Sequence, residues 1–118
     1  MKNDWEELRK EITAFRDVRD WKQFHTPKNL SAAIAIESAE LQEHFLWCTG
    51  EESESRILDG DKRQAIIDEL ADVMTYSLLL ADRLDIDVAE AIRSKMQINN
   101  RNYPVEKSKG TSKKYTEL

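Results

Sequence analysis

Cysteine occurs once, at Cys48, so no intrachain disulfide and no cysteine-rich zinc site can form, and the residue reads as a small hydrophobe in a reducing compartment. Glycine occurs three times, at Gly50, Gly60 and Gly110, which leaves neither a P-loop nor a dinucleotide fingerprint to cradle a phosphate. Neither of the two prolines, Pro27 and Pro104, falls in the interior of a helical pattern. No run approaches the roughly 18 consecutive apolar residues of a membrane span, and the acidic, amphipathic N-terminus lacks the basic start and apolar core of a secretory signal. A cytoplasmic protein with no membrane partner is expected. Basic residues are outnumbered, with 18 Lys and Arg against 23 Asp and Glu and a net charge of −5. There is thus no general basic surface for nucleic acid.

What the chain has in quantity is charge, 35% of residues, beside a hydrophobic fraction of 40%. Its 118 residues suit one domain spanning 1–118. A chain of this size leaves much of its surface exposed, and a pocket closed on all sides calls for another subunit, so a homo-oligomer is expected. The acidic balance still admits a phosphate-bearing small molecule where bound divalent cations reverse the local field.

Helical periodicity dominates, and no strand-period segment, repeat or low-complexity tract is present. Trp5, Leu8, Ile12 and Phe15 recur at spacings of three and four, giving a first helix from 4 to about 20 with Asn3 or Asp4 as its cap. An aromatic-rich loop, Asp20 to Thr26, follows, with Thr26 placed to cap and Pro27 at the first position of a second helix. Leu30, Ile34, Leu41 and Phe45 stripe that helix to about Trp47, where Gly50 and an exposed acidic loop, 51–60, end it. Asp61 with Gln64 opens a third and longest helix carrying Ile66, Ile67, Leu70, Val73, Met74, Leu78 and Ala81 to Leu84. Asp87 with Glu90 starts a fourth that frays near Asn99 and Asn100, and 104–118 reads as an irregular, lysine-rich tail. The expected fold is all-α and resembles a four-helix bundle.

Glu37 and Glu40 stand three apart in the second helix, and Glu69 and Asp72 three apart in the third, so each pair projects from one side of its helix. Solvated helices carry such pairs routinely. Here, however, Glu37 falls among Ile34, Leu41 and Phe45, and Glu69 among Ile66, Val73 and Tyr76, on the apolar stripes. An unpaired carboxylate there costs several kcal/mol or takes up a proton. Few basic residues share those stripes, so a bound cation is the natural counter-charge. An all-oxygen set suits Mg²⁺, with Mn²⁺ as the alternative, whereas a ferritin-like di-iron bundle needs a Glu-x-x-His that neither helix supplies. Glu43, Glu51, Glu52 and Glu54 lie off the stripe or in the loop and are left out of the site.

Glu37-Ser38-Ala39-Glu40-Leu41, followed some thirty residues on by Glu69-Leu70-Ala71-Asp72-Val73, resembles the two-part motif of the MazG-like all-α nucleotide pyrophosphatases. The likeness extends toward their dCTP pyrophosphatase branch through Arg19-Asp20-Trp21, Gln23-Phe24-His25, Phe45-Leu46-Trp47, Ser94-Lys95-Met96, Asn99, Tyr103-Pro104 and the tail from Lys114 to Leu118. The resemblance implies hydrolysis of a nucleoside triphosphate between its α and β phosphates, with Mg²⁺ held by Glu37, Glu40, Glu69 and Asp72; of these, the resemblance does not single out the acid that activates the water, and Glu40 is the one expected here. It implies that Trp21, His25, Trp47, Tyr76 and Asn99 shape a base and sugar pocket, with Lys95 near a phosphate, and that the subunit forms a dimer or tetramer. Ser38-Ala39 and the variable 51–60 loop leave the base open. Alternatives are a related hydrolase of dUTP or a damaged purine triphosphate, and a non-catalytic helical interaction protein.

Overall fold

The computed structural model describes residues 4–118, and all regular elements among them are helical. Asn3 lies outside the described residues. Asp4, the alternative cap, is the first residue of α1 (Asp4–Asp17), whose first turn collects Asp4, Glu6 and Glu7 at the positive end of the helix dipole. α1 stops short of position 20 because the amides of Arg19 and Asp20 turn back to the carbonyls of Arg16 and Asp17, at 3.2 and 3.0 Å, and Asp20 takes a left-handed φ of 56°.

A 3-10 turn, Lys22–Phe24, leads to α2 (Pro27–Glu43), where Thr26 Oγ accepts from the Asn29 amide and Pro27 stands in the first turn as expected. α2 ends four residues before Trp47. The amides of His44, Phe45 and Leu46 close tight turns onto carbonyls three residues back, and Trp47 then takes a left-handed φ of 60°.

The 51–60 segment corrects the expectation of a loop. It contains α3 (Gly50–Arg56), opened by a full capping box between Thr49 and Glu52. Gly50, read as a helix stop, is the first residue of the next helix. α4 (Gly60–Leu84) also starts earlier than Asp61, because Asp59 caps it by accepting from the Lys62 amide, while Gln64 donates to Asp68 at 2.9 Å instead of folding back. α5 (Val88–Asn102) is capped by Asp87 as expected and runs on past Asn99 and Asn100. The tail is not irregular throughout: α6 (Val105–Ser108) and a 3-10 turn at Tyr115–Glu117 form within it.

The chain divides after Asp85 into two compact units. In the first, α2 and α1 both pack against α4. Leu30 is 1% exposed, and Leu78, Leu79 and Ala81 are buried with it. The α4 stripe read from the sequence therefore splits: its C-terminal half enters this core, whereas Ile67, Leu70 and Met74 remain exposed. In the second unit, the rings of Tyr103 and Tyr115 meet edge to face with centroids 5.9 Å apart and fasten the end of the chain to the residue after α5.

One polar cluster joins the core of the first unit. Arg16 is buried, and its Nη1 donates to Asp82 at 3.1 Å while Nε donates to Asp17 at 2.8 Å. Arg9 adds a 2.5 Å bond to the other Asp82 oxygen and pairs with Glu6. Burial pushes the Asp82 carboxyl up, but the bonds from Arg16 and Arg9 outweigh it and hold the group below its ordinary range. A depressed carboxylate contributes stability above its unfolded pKa and loses it as pH falls through the folded one. Asp82→Ala should lower unfolding stability at pH 7 by about 3 kcal/mol in a urea titration, since it strands a buried guanidinium, and the gap from wild type should narrow on acidification.

Candidate active site

The packing of α2 on α4 brings acids from both helices together. One carboxylate oxygen from each of Glu37, Glu40 and Glu69 lies within 4.8 Å of the others. Glu40 stands close enough to both Glu37 and Glu69 for its carboxyl group to act on theirs. Buried oxygens of Glu37 and Glu69 are left with no partner at all, and among the described residues none of these acids is in an ion pair. Asp72 stands outside the three-oxygen cluster, although its charge is felt by both Glu37 and Glu69.

The electrostatics follow. Burial, then the hydrogen bond and charge of Glu40, then the charges of Asp72 and Glu69 push the Glu37 carboxyl up to about 7. Glu69 is raised by burial and by Glu40. These are the marks of carboxylates without a counter-charge. A divalent cation fits the donor set: oxygens about 2.1 Å from Mg²⁺ lie roughly 3–4.2 Å apart, a modest contraction of the cluster, and the two orphaned oxygens would gain a partner.

A cavity of about 170 Å³ opens between α1, the 20–26 loop and α4, lined by Ile12, Phe15, Arg16, Trp21, His25, Asp72, Thr75, Tyr76 and Leu79. Asp72 connects this pocket electrostatically to the acids. The loop is held by its own side chains: Gln23 donates to the Asp20 carbonyl and carboxylate at 3.1 and 3.0 Å, and Asn29 Nδ2 donates to the Phe24 carbonyl at 2.8 Å. Trp21 meets Phe15 edge to face at 5.8 Å. His25 Nδ1 is buried without a partner, and burial, with the nearby Arg16 charge, lowers its pKa, so the ring is neutral at pH 7.

Of the residues singled out from sequence, Glu37, Glu40 and Glu69 form the cluster, and Trp21, His25, Asp72 and Tyr76 share the pocket. Trp47 does not line it. It stands 92% exposed on the turn after α2, because that helix ends before reaching it. Lys95 and Asn99 lie one turn apart on α5 in the second unit, both exposed. Arg16 and Thr75 were missed. A basic residue one helical turn from Ile12 on an apolar stripe was the available signal for Arg16.

A helical chain with an all-oxygen acidic centre between two packed helices, beside an aromatic-walled pocket, defines a class rather than a single protein. Residues 32–118 match the MazG-like family, and the chain belongs to it. It is 40% identical over 113 residues to dCTP pyrophosphatase 1 of Bos taurus, covering 96% of this chain and 67% of that protein. To the Homo sapiens protein of the same name it is 42% identical over 113 residues, covering 96% and 66%. The chain thus spans about two thirds of the length of these relatives. A pyrophosphatase from Archaeoglobus fulgidus shares the fold, with a TM-score of 0.80 and 40% identity over 88% of this chain and 95% of that one.

A raised carboxylate carries the opposite pH signature to Asp82: the folded state holds the proton more tightly, so stability is present at low pH and lost as pH rises from the ordinary range through about 7. Metal-free protein should therefore melt lower at pH 8 than at pH 5. Glu37→Gln should raise the midpoint by a few degrees at pH 8 and change it little at pH 5, as followed by circular dichroism in EDTA.

Proposed function

We propose that this chain, a nucleoside triphosphate pyrophosphohydrolase, acts on dCTP or a modified dCTP and releases the nucleoside monophosphate and pyrophosphate. The observation that carries the reading is the cluster of Glu37, Glu40 and Glu69 within 4.8 Å, with orphaned buried oxygens, set beside a pocket whose wall includes Asp72. The substrate class is supported by the dCTP pyrophosphatases it resembles over nearly its whole length.

Glu37, Glu40, Glu69 and Asp72 are the residues to hold Mg²⁺, or Mn²⁺ in its place. Bound there, the cation supplies neutralisation of triphosphate charge as the transition state forms. Glu40, which shares the cluster with acids from both helices, takes a proton from the attacking water in this reading. As the water oxygen bonds to the α phosphorus, the bond from that phosphorus to the bridging oxygen breaks, and pyrophosphate leaves. Trp21 and Tyr76 offer flat faces on which a base can stack, and neutral His25, whose buried Nδ1 has no partner, lines the same pocket. Lys95 and Asn99 of α5 are the residues to meet a phosphate and the base, and Trp47 acts on the substrate only where assembly brings it to the pocket.

A homo-oligomer, dimer or tetramer, accommodates the exposed apolar residues Ile67, Leu70 and Met74 of α4 and Ile92, Met96 and Ile98 of α5. No helix among the described residues is long and apolar enough to cross a membrane, and the composition suits the cytoplasm.

The test is pyrophosphate release from canonical and 5-modified nucleoside triphosphates, dUTP and oxidised purine triphosphates included, in Mg²⁺ or EDTA. Release should require Mg²⁺ and favour the dCTP-like substrates. Glu40→Ala and Asp72→Ala should each lower kcat by about 10²-fold or more while remaining folded. Mg²⁺ should also raise the wild-type melting temperature with concentration, and silence of every nucleotide would sink the reading.

A further inference from the structure

Arg16 is 4% exposed and yet lines the pocket with Trp21, His25 and Tyr76. A guanidinium presents five N–H donors in a fixed fork. Here Nε is taken by Asp17 and Nη1 by Asp82, while Nη2 donates to nothing among the described residues. An unused donor on a buried cation leaves hydrogen-bonding capacity that only a ligand or water in the cavity can satisfy.

The charge of Arg16 is already answered. Asp17 and Asp82 bond to it directly, and Asp72 lines the same cavity, so an anion entering at this wall would meet a guanidinium already paired with two carboxylates and a third carboxylate facing the same space. A neutral acceptor meets no such repulsion. The triphosphate belongs at the acidic centre beyond Asp72, which leaves the base for the aromatic end.

We infer that Arg16 is a specificity-determining residue that donates a hydrogen bond through Nη2 to a neutral ring carbonyl on the base of the nucleotide. The inference rests on the nucleotide-hydrolase reading above. It selects bases that carry a ring carbonyl, cytosine through its 2-oxygen, against adenine, which has none and would leave the donor unmet. Asp17 and Asp82 are positioning residues that hold the fork against the pocket wall.

Binding of dCMP, dAMP and a cytosine analogue monophosphate lacking the 2-carbonyl but keeping the amino group would be measured by calorimetry on the full chain. Wild type should favour dCMP over the carbonyl-less analogue by about 10- to 100-fold, the weight of a hydrogen bond to a charged group. Arg16→Lys keeps a cation between Asp17 and Asp82 but loses the fork, and should shrink that ratio to within about 3-fold. The double variant Arg16→Ala with Asp82→Ala removes the buried pair without stranding either charge and should do the same, with its fold checked by circular dichroism. A wild-type ratio near one, an unchanged ratio in either folded variant, or no binding of dCMP overturns the inference. Pyrophosphate release from dCTP on the same preparation separates the two claims. Turnover with a flat ratio removes the base contact alone, whereas a steep ratio without turnover removes the hydrolase reading alone.

Discussion

A guanidinium that is nearly inaccessible to water has to be met by fixed carboxylates, and that requirement organises the first unit. Arg16 on α1 can stay buried only because Asp82 arrives from the last turn of α4 and Asp17 from the next residue along its own helix. The same Asp82 takes Arg9 one side further on. Two turns of α1 are thereby fixed against one point of α4, and everything the loop after α1 carries, Trp21 and His25 above all, is placed relative to α4 by that anchor. The aromatic pocket is a by-product of satisfying a buried charge.

At the other end of α4 the logic reverses. Glu69 faces Glu37 and Glu40 across the helix interface with no basic side chain paired to them among the described residues, so the α2–α4 packing forces like charges together instead of pairing opposites. Apolar burial of Leu30, Leu78 and Leu79 offsets that repulsion. One helix thus carries an ion-paired anchor, a pocket wall and an acidic centre along its length, a division of labour in which stability is concentrated away from the chemistry.

The parts visible in sequence were those with a local period. The long helices announced themselves through spacings of three and four, Thr26-Pro27 and Asp87 through capping chemistry, and the acids through their place on apolar stripes. α3 was hidden because Gly50–Arg56 has no apolar period, although Thr49 and Glu52 spelled its capping box. Trp47 was assigned to a helix that hydrogen bonds of the tighter, three-residue kind close off first. The Arg16–Asp82 pair joins residues 66 positions apart, a separation across which neither partner's neighbours carry any sign of the other. That Glu37, Glu40 and Glu69 would meet was legible, whereas the place of Asp72 on the pocket wall and the Arg16 cation beside it needed the third dimension.

The exposed turn at Trp47 has a bearing on how the molecule reports on itself. Its indole lies almost wholly in solvent, while Trp21 is packed against Phe15 on the pocket wall and Trp5 is half-buried on α1. Three emitters in three polarities divide the intrinsic fluorescence into a red, water-quenched component from Trp47 and bluer ones from the others. Occupancy of the pocket would be written in the bluer light, and burial of the α2 turn against any neighbour in the red, so one spectrum distinguishes a ligand from a docking subunit.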